Sequence, residues 1–471
     1  MEDKANGVTR ILARAWNAPI RNTGVEIIAV IGFVPLLLGV ALWNGFPLIF
    51  YDTGAYVLQG LGRIFQPERS PVYSLFLSYG GGGVSLWFIA IIQAFATSYV
   101  IVQLARVEAP KLRLGWFIAI AAALTLFTAL PWYAGQIEPD CFTALTVLCT
   151  YLLALHTGGM GRGRSIAIFA IGSFAAATHP SHLLLIAGLV MVVGVLKIVT
   201  IVSHGREALQ KSNIALPLLS AGLGLCLIVA GNYVLTGKYF LNRAGSVFVF
   251  ASFLQDGIVQ HLLDDTCPGS HYALCAYRKH LPGDAEQYLW LPYSPFNKLG
   301  RFTGTAVESQ RMVDDMLVRY PGLVAMGTLR DTAEQLFSFR TGDQIEPQEW
   351  AIYKGLNRYI PDQMRSYVYA RQQQGKIHFP IVNAVDVPVA ALAQLAMLVG
   401  LFVTLRRRRW GAAVFLGFMA AALFGNALIC GALSNPHDRY QSRLMWLPVL
   451  ALSLLWAEGR FSLRRPAESG T

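Results

Sequence analysis

Charge is scarce in this chain. Of 471 residues only 14% are Asp, Glu, Lys or Arg, against roughly 25% in ordinary soluble domains, which excludes a water-soluble enzyme. Cysteine is scarce too, six residues in all, and there is no paired C-x-x-C, no H-E-x-x-H and no glycine-rich phosphate loop. Zinc and nucleotide chemistry of the soluble type therefore lack their usual ligands. No short internal repeat is visible either.

What is abundant is apolar length. Hydrophobic residues make up 54% of the chain, and they fall in runs of about 18 or more, the length that crosses a bilayer. The expected fold class is an all-α polytopic membrane protein with ten spans, near 25–44, 84–104, 114–131, 140–156, 165–178, 183–202, 214–236, 384–405, 410–432 and 443–457. The stretch 165–202 is too long for one crossing, and His179-Pro180 breaks it into two short ones. The first apolar run is too long for a cleaved signal peptide and reads as a retained span.

An even number of spans puts both termini on one side. With the N-terminus inside, short inner segments hold 18 Lys and Arg, from Lys4, Arg10 and Arg14 through Arg206 and Lys211 to Arg464 and Arg465; short outer loops hold four, Arg63, Arg69, Arg439 and Arg443. That asymmetry places both termini in the cytoplasm and, in a bacterial inner membrane, the opposite face in the periplasm. It also absorbs most of the +11 net charge, so the expected partners are membrane lipids and not nucleic acid.

Three regions follow. Residues 1–236 form a membrane module whose first outer loop, 45–83, carries two short interfacial helices. Residues 237–383 form a large outer helical lobe, with helices expected near 305–319, 322–339, 348–359 and 362–374. Residues 384–471 hold the last three spans. Cys141, Cys149, Cys226 and Cys430 fall inside spans, whereas Cys267 and Cys275 lie in the outer lobe, where an oxidising compartment favours a disulfide. The lobe's aromatics, among them Trp290, Tyr293, Trp350, Tyr353, Tyr359, Tyr367 and Tyr369, suit either a membrane interface or the lobe's own core.

The unusual polar residues collect at the outer ends of the spans. Asp52 follows span one, either as a helix cap or in a functional role, since a carboxylate near hydrocarbon is costly. Arg69 precedes Pro71-Val72-Tyr73 and sits between the two interfacial helices, snorkelling or with its cation free. Glu138 and Asp140 share a turn that contains no base; Asp140 can cap span four or bind a ligand. His179 and His182 stand three apart, a spacing that can share a helix face and line a cavity or, though no third ligand is near, bind a metal. Asn435 to Arg443 brings His437, Arg439, Tyr440 and Arg443 to a face that the topology otherwise keeps poor in bases, which fits either a bound anion or pairing of Arg439 with Asp438 or another loop acid.

The order of these motifs resembles the GT-C glycosyltransferases, closest in pattern to the protein O-mannosyltransferase and lipid A aminoarabinose transferase branch. It comprises an acid after span one, Arg69-Ser70-Pro71-Val72-Tyr73 opening a short helix, Asp140 at the start of span four, a Thr178-His179-Pro180 break, and Arg439-Tyr440 before a last Leu/Pro-rich span. The matched stretches, 50–104, 124–155, 166–196 and 437–455, cover somewhat over a third of the chain. The resemblance implies transfer of a sugar from a polyprenyl-phosphate-linked donor to a lipid, glycan or protein acceptor on the periplasmic side. It implies Asp52 as general base, and Asp140 with Glu138 orienting the acceptor or a metal. Arg69, Tyr73, His179, His437, Arg439 and Tyr440 would surround the donor's lipid phosphate. No cofactor follows with certainty, and a divalent metal stays open. Three features depart from the family pattern: Asp52 is followed by Thr53 instead of a second acid, His179 stands where a lysine is common, and the lobe falls between spans seven and eight. Two other readings stay in view: an O-antigen ligase or polymerase type of glycan enzyme, and a flippase or transporter of lipid-linked glycan.

Overall fold

The computed structural model describes residues 16–204, 212–348 and 351–460. Lys4, Arg10, Arg14, Arg206, Lys211, Trp350, Arg464 and Arg465, used above, lie outside them. Among the described residues the fold is helical, with only two isolated bridges, Pro19 to Arg113 and Leu48 to Gln136.

Every expected span is a helix. In chain order they are α1 (Thr23–Asn44), then, after the two short helices α2 (Tyr51–Gly60) and α3 (Pro71–Tyr79), α4 (Leu86–Glu108), α5 (Leu114–Phe127), α6 (Cys141–Leu155), α7 (Arg162–Thr178), α8 (Pro180–Ile198) and α9 (Ala215–Thr236). Among the described residues six helices are long and apolar enough to cross a membrane: α1, α4, α8, α9, Phe379–Arg406 and Trp410–Leu433. A multi-pass membrane protein follows from these six. The other four expected spans, α5, α6, α7 and Trp446–Ala457, run 14, 15, 17 and 12 residues. At 1.5 Å per residue they reach about 18 to 26 Å, short of a hydrocarbon core of about 30 Å.

The shortening has local causes. α7 stops because His179 precedes Pro180 and takes an extended conformation, φ −152° and ψ 133°. α5 stops at Thr128, also extended, just before the short Pro131 turn. The last helix starts late because 443–445 form a turn after the short helix Asp438–Ser442.

The long segment 237–383 does not behave as one lobe. It contains α10 (Gly245–Gln255) and α11 (Ile258–Thr266), bent against each other by 88°, a pair the sequence reading did not anticipate; it counts as a seventh crossing if taken as one broken span. α12 (Arg301–Arg319) and α13 (Pro321–Phe337) match expectation closely. Beyond them, α14 (Ala351–Tyr359) agrees, but 362–374 is helical only at Met364–Tyr369 after a 3-10 turn. α15 (Phe379–Arg406), α16 (Trp410–Leu433), α17 (Asp438–Ser442) and α18 (Trp446–Ala457) complete the chain.

Two hydrophobic cores divide this material. One, from Ala244 to Met316, belongs to α10, α11, α12 and the short helices between them. The larger core, built on α1, α4, α6, α16 and α18, takes in Phe339, Ile352, Leu356, Ile360, Met364 and Tyr367. The second part of the long segment therefore packs on the bundle, with α14 against α2. Of its aromatics, Tyr367 is buried in the bundle's core and not in a core of the lobe's own, while Tyr293 and Tyr369 are exposed. α2 and α3 approach so closely at Gly60 that a Cβ there would fall 2.2 Å from the Ser74 carbonyl oxygen, which leaves glycine as the residue that fits.

Candidate functional site

Backbone contacts bring the first candidate carboxylates together. Leu48 N–H donates to the Gly135 carbonyl at 2.9 Å, and Ile137 N–H donates to the Leu48 carbonyl at 2.9 Å. Thr53 Oγ1 accepts from Phe50 N–H and donates to the Ile137 carbonyl at 2.9 Å. The start of α2 is thereby fixed beside the turn that precedes α6, and Asp52 beside Glu138. Asp52 lies in the first turn of α2, whose N-cap is Phe50, so capping does not explain it. Asp140 stands at the N-cap of α6 but makes no side-chain cap bond.

Arg69 enters from the other side. Ser70 caps α3, accepting from Val72 N–H, with Pro71 at the first helical position, and its hydroxyl also donates to the Ala177 carbonyl at 2.7 Å. Gln59 donates to the carbonyls of Arg69 and Ser70 and to Ser74 Oγ, which holds this corner against α2. Arg69 is not a free cation: its Nη2 lies 2.5 Å from Asp52 Oδ1.

The remaining cations come from α17 and the residue after it. Arg439 Nη1 is 2.8 Å from Glu138 Oε1 and 3.7 Å from Asp52 Oδ2, with its guanidinium 4.3 Å over the Phe50 ring and 4.8 Å over the Tyr440 ring. Asp438 is not its partner; that carboxylate accepts from Arg340 N–H. Arg443 Nη1 is 2.5 Å from Asp140 Oδ1, and its Nη2 donates to Asn426 Oδ1 at 3.2 Å. Glu138 and Asp140, which have no base in their own turn, thus take cations from 301 and 303 positions away.

Three guanidinium groups face three carboxylates, so the cluster is neutral as a whole. It is also incompletely satisfied. The Nε atoms of Arg69, Arg439 and Arg443, together with Glu138 Oε2, Asp140 Oδ2 and Gln136 Oε1, are buried and make no hydrogen bond with protein. Buried polar atoms almost always have partners. These donors and acceptors are gathered in one place, with bonding capacity beyond what the protein itself satisfies.

The other candidates lie around this centre. His437 Nε2 is 3.2 Å from Glu286 Oε1 and its Nδ1 3.6 Å from Asp343 Oδ2. Burial alone would push its pKa down, but the hydrogen bonds to Asp343 and Glu286 raise it to about 10, so it is charged at neutral pH. It reaches the cluster through Asp343, which also accepts from Arg439 N–H at 3.3 Å. Tyr440 Oη accepts from Arg439 Nη2 at 3.3 Å. Tyr73 is buried, donating to Gln93 Oε1 at 2.6 Å while Gln93 donates to the Gln136 carbonyl at 2.7 Å, which ties the tyrosine to the turn that carries Glu138. His179 is exposed and bonds Ser181, whereas His182 is enclosed, with Thr143 on Nε2 and the Ala175 carbonyl on Nδ1. Cys267 and Cys275 form the expected disulfide, far in sequence from these groups.

Among the described residues no group of three or more His, Cys, Asp or Glu is placed to share a metal ion; each carboxylate of the cluster faces its own guanidinium. Glu286, Asp343 and Tyr133, whose hydroxyl contacts Ser442, were not singled out from sequence. Nothing local marks them, since their partners stand in other segments. Comparison with protein-family models, with curated proteins and with solved structures finds no match to this chain.

Proposed function

We propose that the chain is a membrane glycosyltransferase of the GT-C kind, moving a sugar from a polyprenyl-phosphate-linked donor to an acceptor hydroxyl at the outer face of the membrane, with Asp52 as general base. The supporting observation is the single cluster in which Arg439 approaches both Asp52 and Glu138 while Arg69 holds Asp52 from the other side. A base and several cations within one neutral, partly unsatisfied group are what this reaction needs.

At rest Asp52 is occupied by Arg69 and Arg439. A phosphodiester among the arginines competes for the same N–H donors, and an arginine that turns toward it releases a carboxylate oxygen of Asp52 to the acceptor. The acceptor proton passes to Asp52 as its oxygen bonds the anomeric carbon. The bond from that carbon to the phosphate oxygen breaks, its electron pair stays on the phosphate, and the guanidinium groups offset the added negative charge. Glu138 and Asp140 keep Arg439 and Arg443 aimed at that phosphate.

The test uses purified full-length protein in nanodiscs with a synthetic polyprenyl-phosphate sugar, following release of the lipid phosphate. Asp52→Asn is expected to lose about 100-fold or more in rate with an unchanged size-exclusion profile. Undiminished release would move the reading to the ligase or polymerase class. Movement of the intact donor across the bilayer without cleavage would make the protein a flippase.

A further inference from the structure

Away from the charged cluster, one buried carboxylate among the described residues has no cationic partner. Asp386 lies two turns into α15, a helix long and apolar enough to cross a membrane, and is only 7% exposed. Thr341 Oγ1 donates to its Oδ2 at 2.8 Å, and among the described residues no Lys, Arg or His pairs with it. Thr341 is itself fixed to α15, since its N–H donates to Asn383 Oδ1 and its carbonyl accepts from Asn383 Nδ2. A carboxylate enclosed in this way is costly until it gains a proton or a cation.

Asp386 borders a small crevice whose apolar walls include Phe127, Phe339, Ala390 and Met445, with Thr128 and Ser442 beside them. The crevice as a whole has room for about one water-sized group. A bare ammonium is that size; a trimethylammonium is not. The helices on either side turn apolar side chains outward, with Leu126 and Phe127 on α5 and Ile381, Val385 and Leu392 on α15 all exposed, as befits faces against acyl chains. At its other limit the crevice meets Ser442, which lies between Arg439 and Arg443 in the chain.

We propose that Asp386 binds the primary ammonium of a membrane-lipid headgroup that enters from the bilayer between α5 and α15. The charge is set by the carboxylate, the size by the crevice, and the lipid origin by the apolar faces that flank the opening. The proposal does not depend on sugar transfer, and lipid retention is read without it.

Full-length protein is reconstituted in nanodiscs holding phosphatidylethanolamine and phosphatidylcholine in equal amounts, then released into detergent, and its retained lipids are counted by native mass spectrometry. Wild type is expected to keep phosphatidylethanolamine over phosphatidylcholine by about fivefold or more. Asp386→Asn should bring the two to parity and Asp386→Glu should restore the preference. Ala390→Leu, which fills the crevice and leaves the carboxylate in place, should also abolish it. Equal retention of both lipids by wild type, or an undiminished preference in Asp386→Asn, overturns the proposal. A melting temperature that rises with ammonium chloride over choline chloride only when Asp386 is present, without lipid preference, would assign the site to a free cation and overturn the lipid source.

Discussion

Asp140 and Arg443 stand 303 positions apart and meet at 2.5 Å, with 7% and 3% of their side chains exposed. A pair this enclosed has given up most of its hydration, so each charge depends on the other. Removing one partner from such a pair is expected to cost about 3–5 kcal/mol, because the survivor stays buried and unpaired. Asp140→Asn and Arg443→Met should each lower the melting temperature, and the double variant should recover part of the loss. A double variant as unstable as the sum of the two singles would show that the charges do not interact.

His437 gives a pH signature. Its pKa in the fold, raised to about 10, lies above the ordinary histidine value of about 6.5. A group raised on folding stabilises fully below its unfolded value, and the stabilisation is lost as pH climbs through the folded one. Between pH 7 and pH 10.5 the melting temperature of wild type should therefore fall about 3 °C or more beyond that of His437→Gln. Parallel falls in the two proteins would mean that Asp343 and Glu286 do not hold the imidazolium.

The packing of α13 on α16 turns on Gly431. A Cβ there would lie 2.7 Å from the Thr332 nitrogen and 2.8 Å from the Asp331 carbonyl carbon, both backbone atoms. Gly431→Val should cost about 1–3 kcal/mol by forcing the helices apart. Gly417→Ala, whose nearest neighbour is a Leu401 methyl at 3.6 Å, should leave thermal unfolding unchanged; equal losses from both would contradict this packing.

The disulfide closes a loop of 8 positions, which in the chain-entropy account contributes about 2–3 kcal/mol. Peptide mapping without reductant should recover residues 267 and 275 in one linked fragment. Cys267→Ser should lower the melting temperature of the protein, and an unchanged temperature would show that the loop is held without the bond.

The helices were legible in sequence because apolar runs respond to one strong local rule. Each of the ten expected spans is helical, and α12 and α13 were legible with Pro321 as the punctuation between them. Crossing length was less legible: His179 and Thr128 end α7 and α5 through backbone conformations that a hydropathy run does not display. The bent α10–α11 pair was missed altogether, being hidden within a segment read as a surface lobe.

Residue chemistry alone marked Asp52, Arg69, Glu138, Asp140 and Arg439 as worth explaining, since charge at the rim of an apolar span is costly wherever the chain goes. Only the tertiary structure decided who pairs with whom. Asp438 is adjacent to Arg439 in the chain and does not pair with it, while Glu138, hundreds of positions away, does. Hydrophobic patterning acts along a few turns of helix and can be read from neighbours. An ion pair forms where separate helices place two side chains within a few ångströms, and that coincidence belongs to the packing of the bundle.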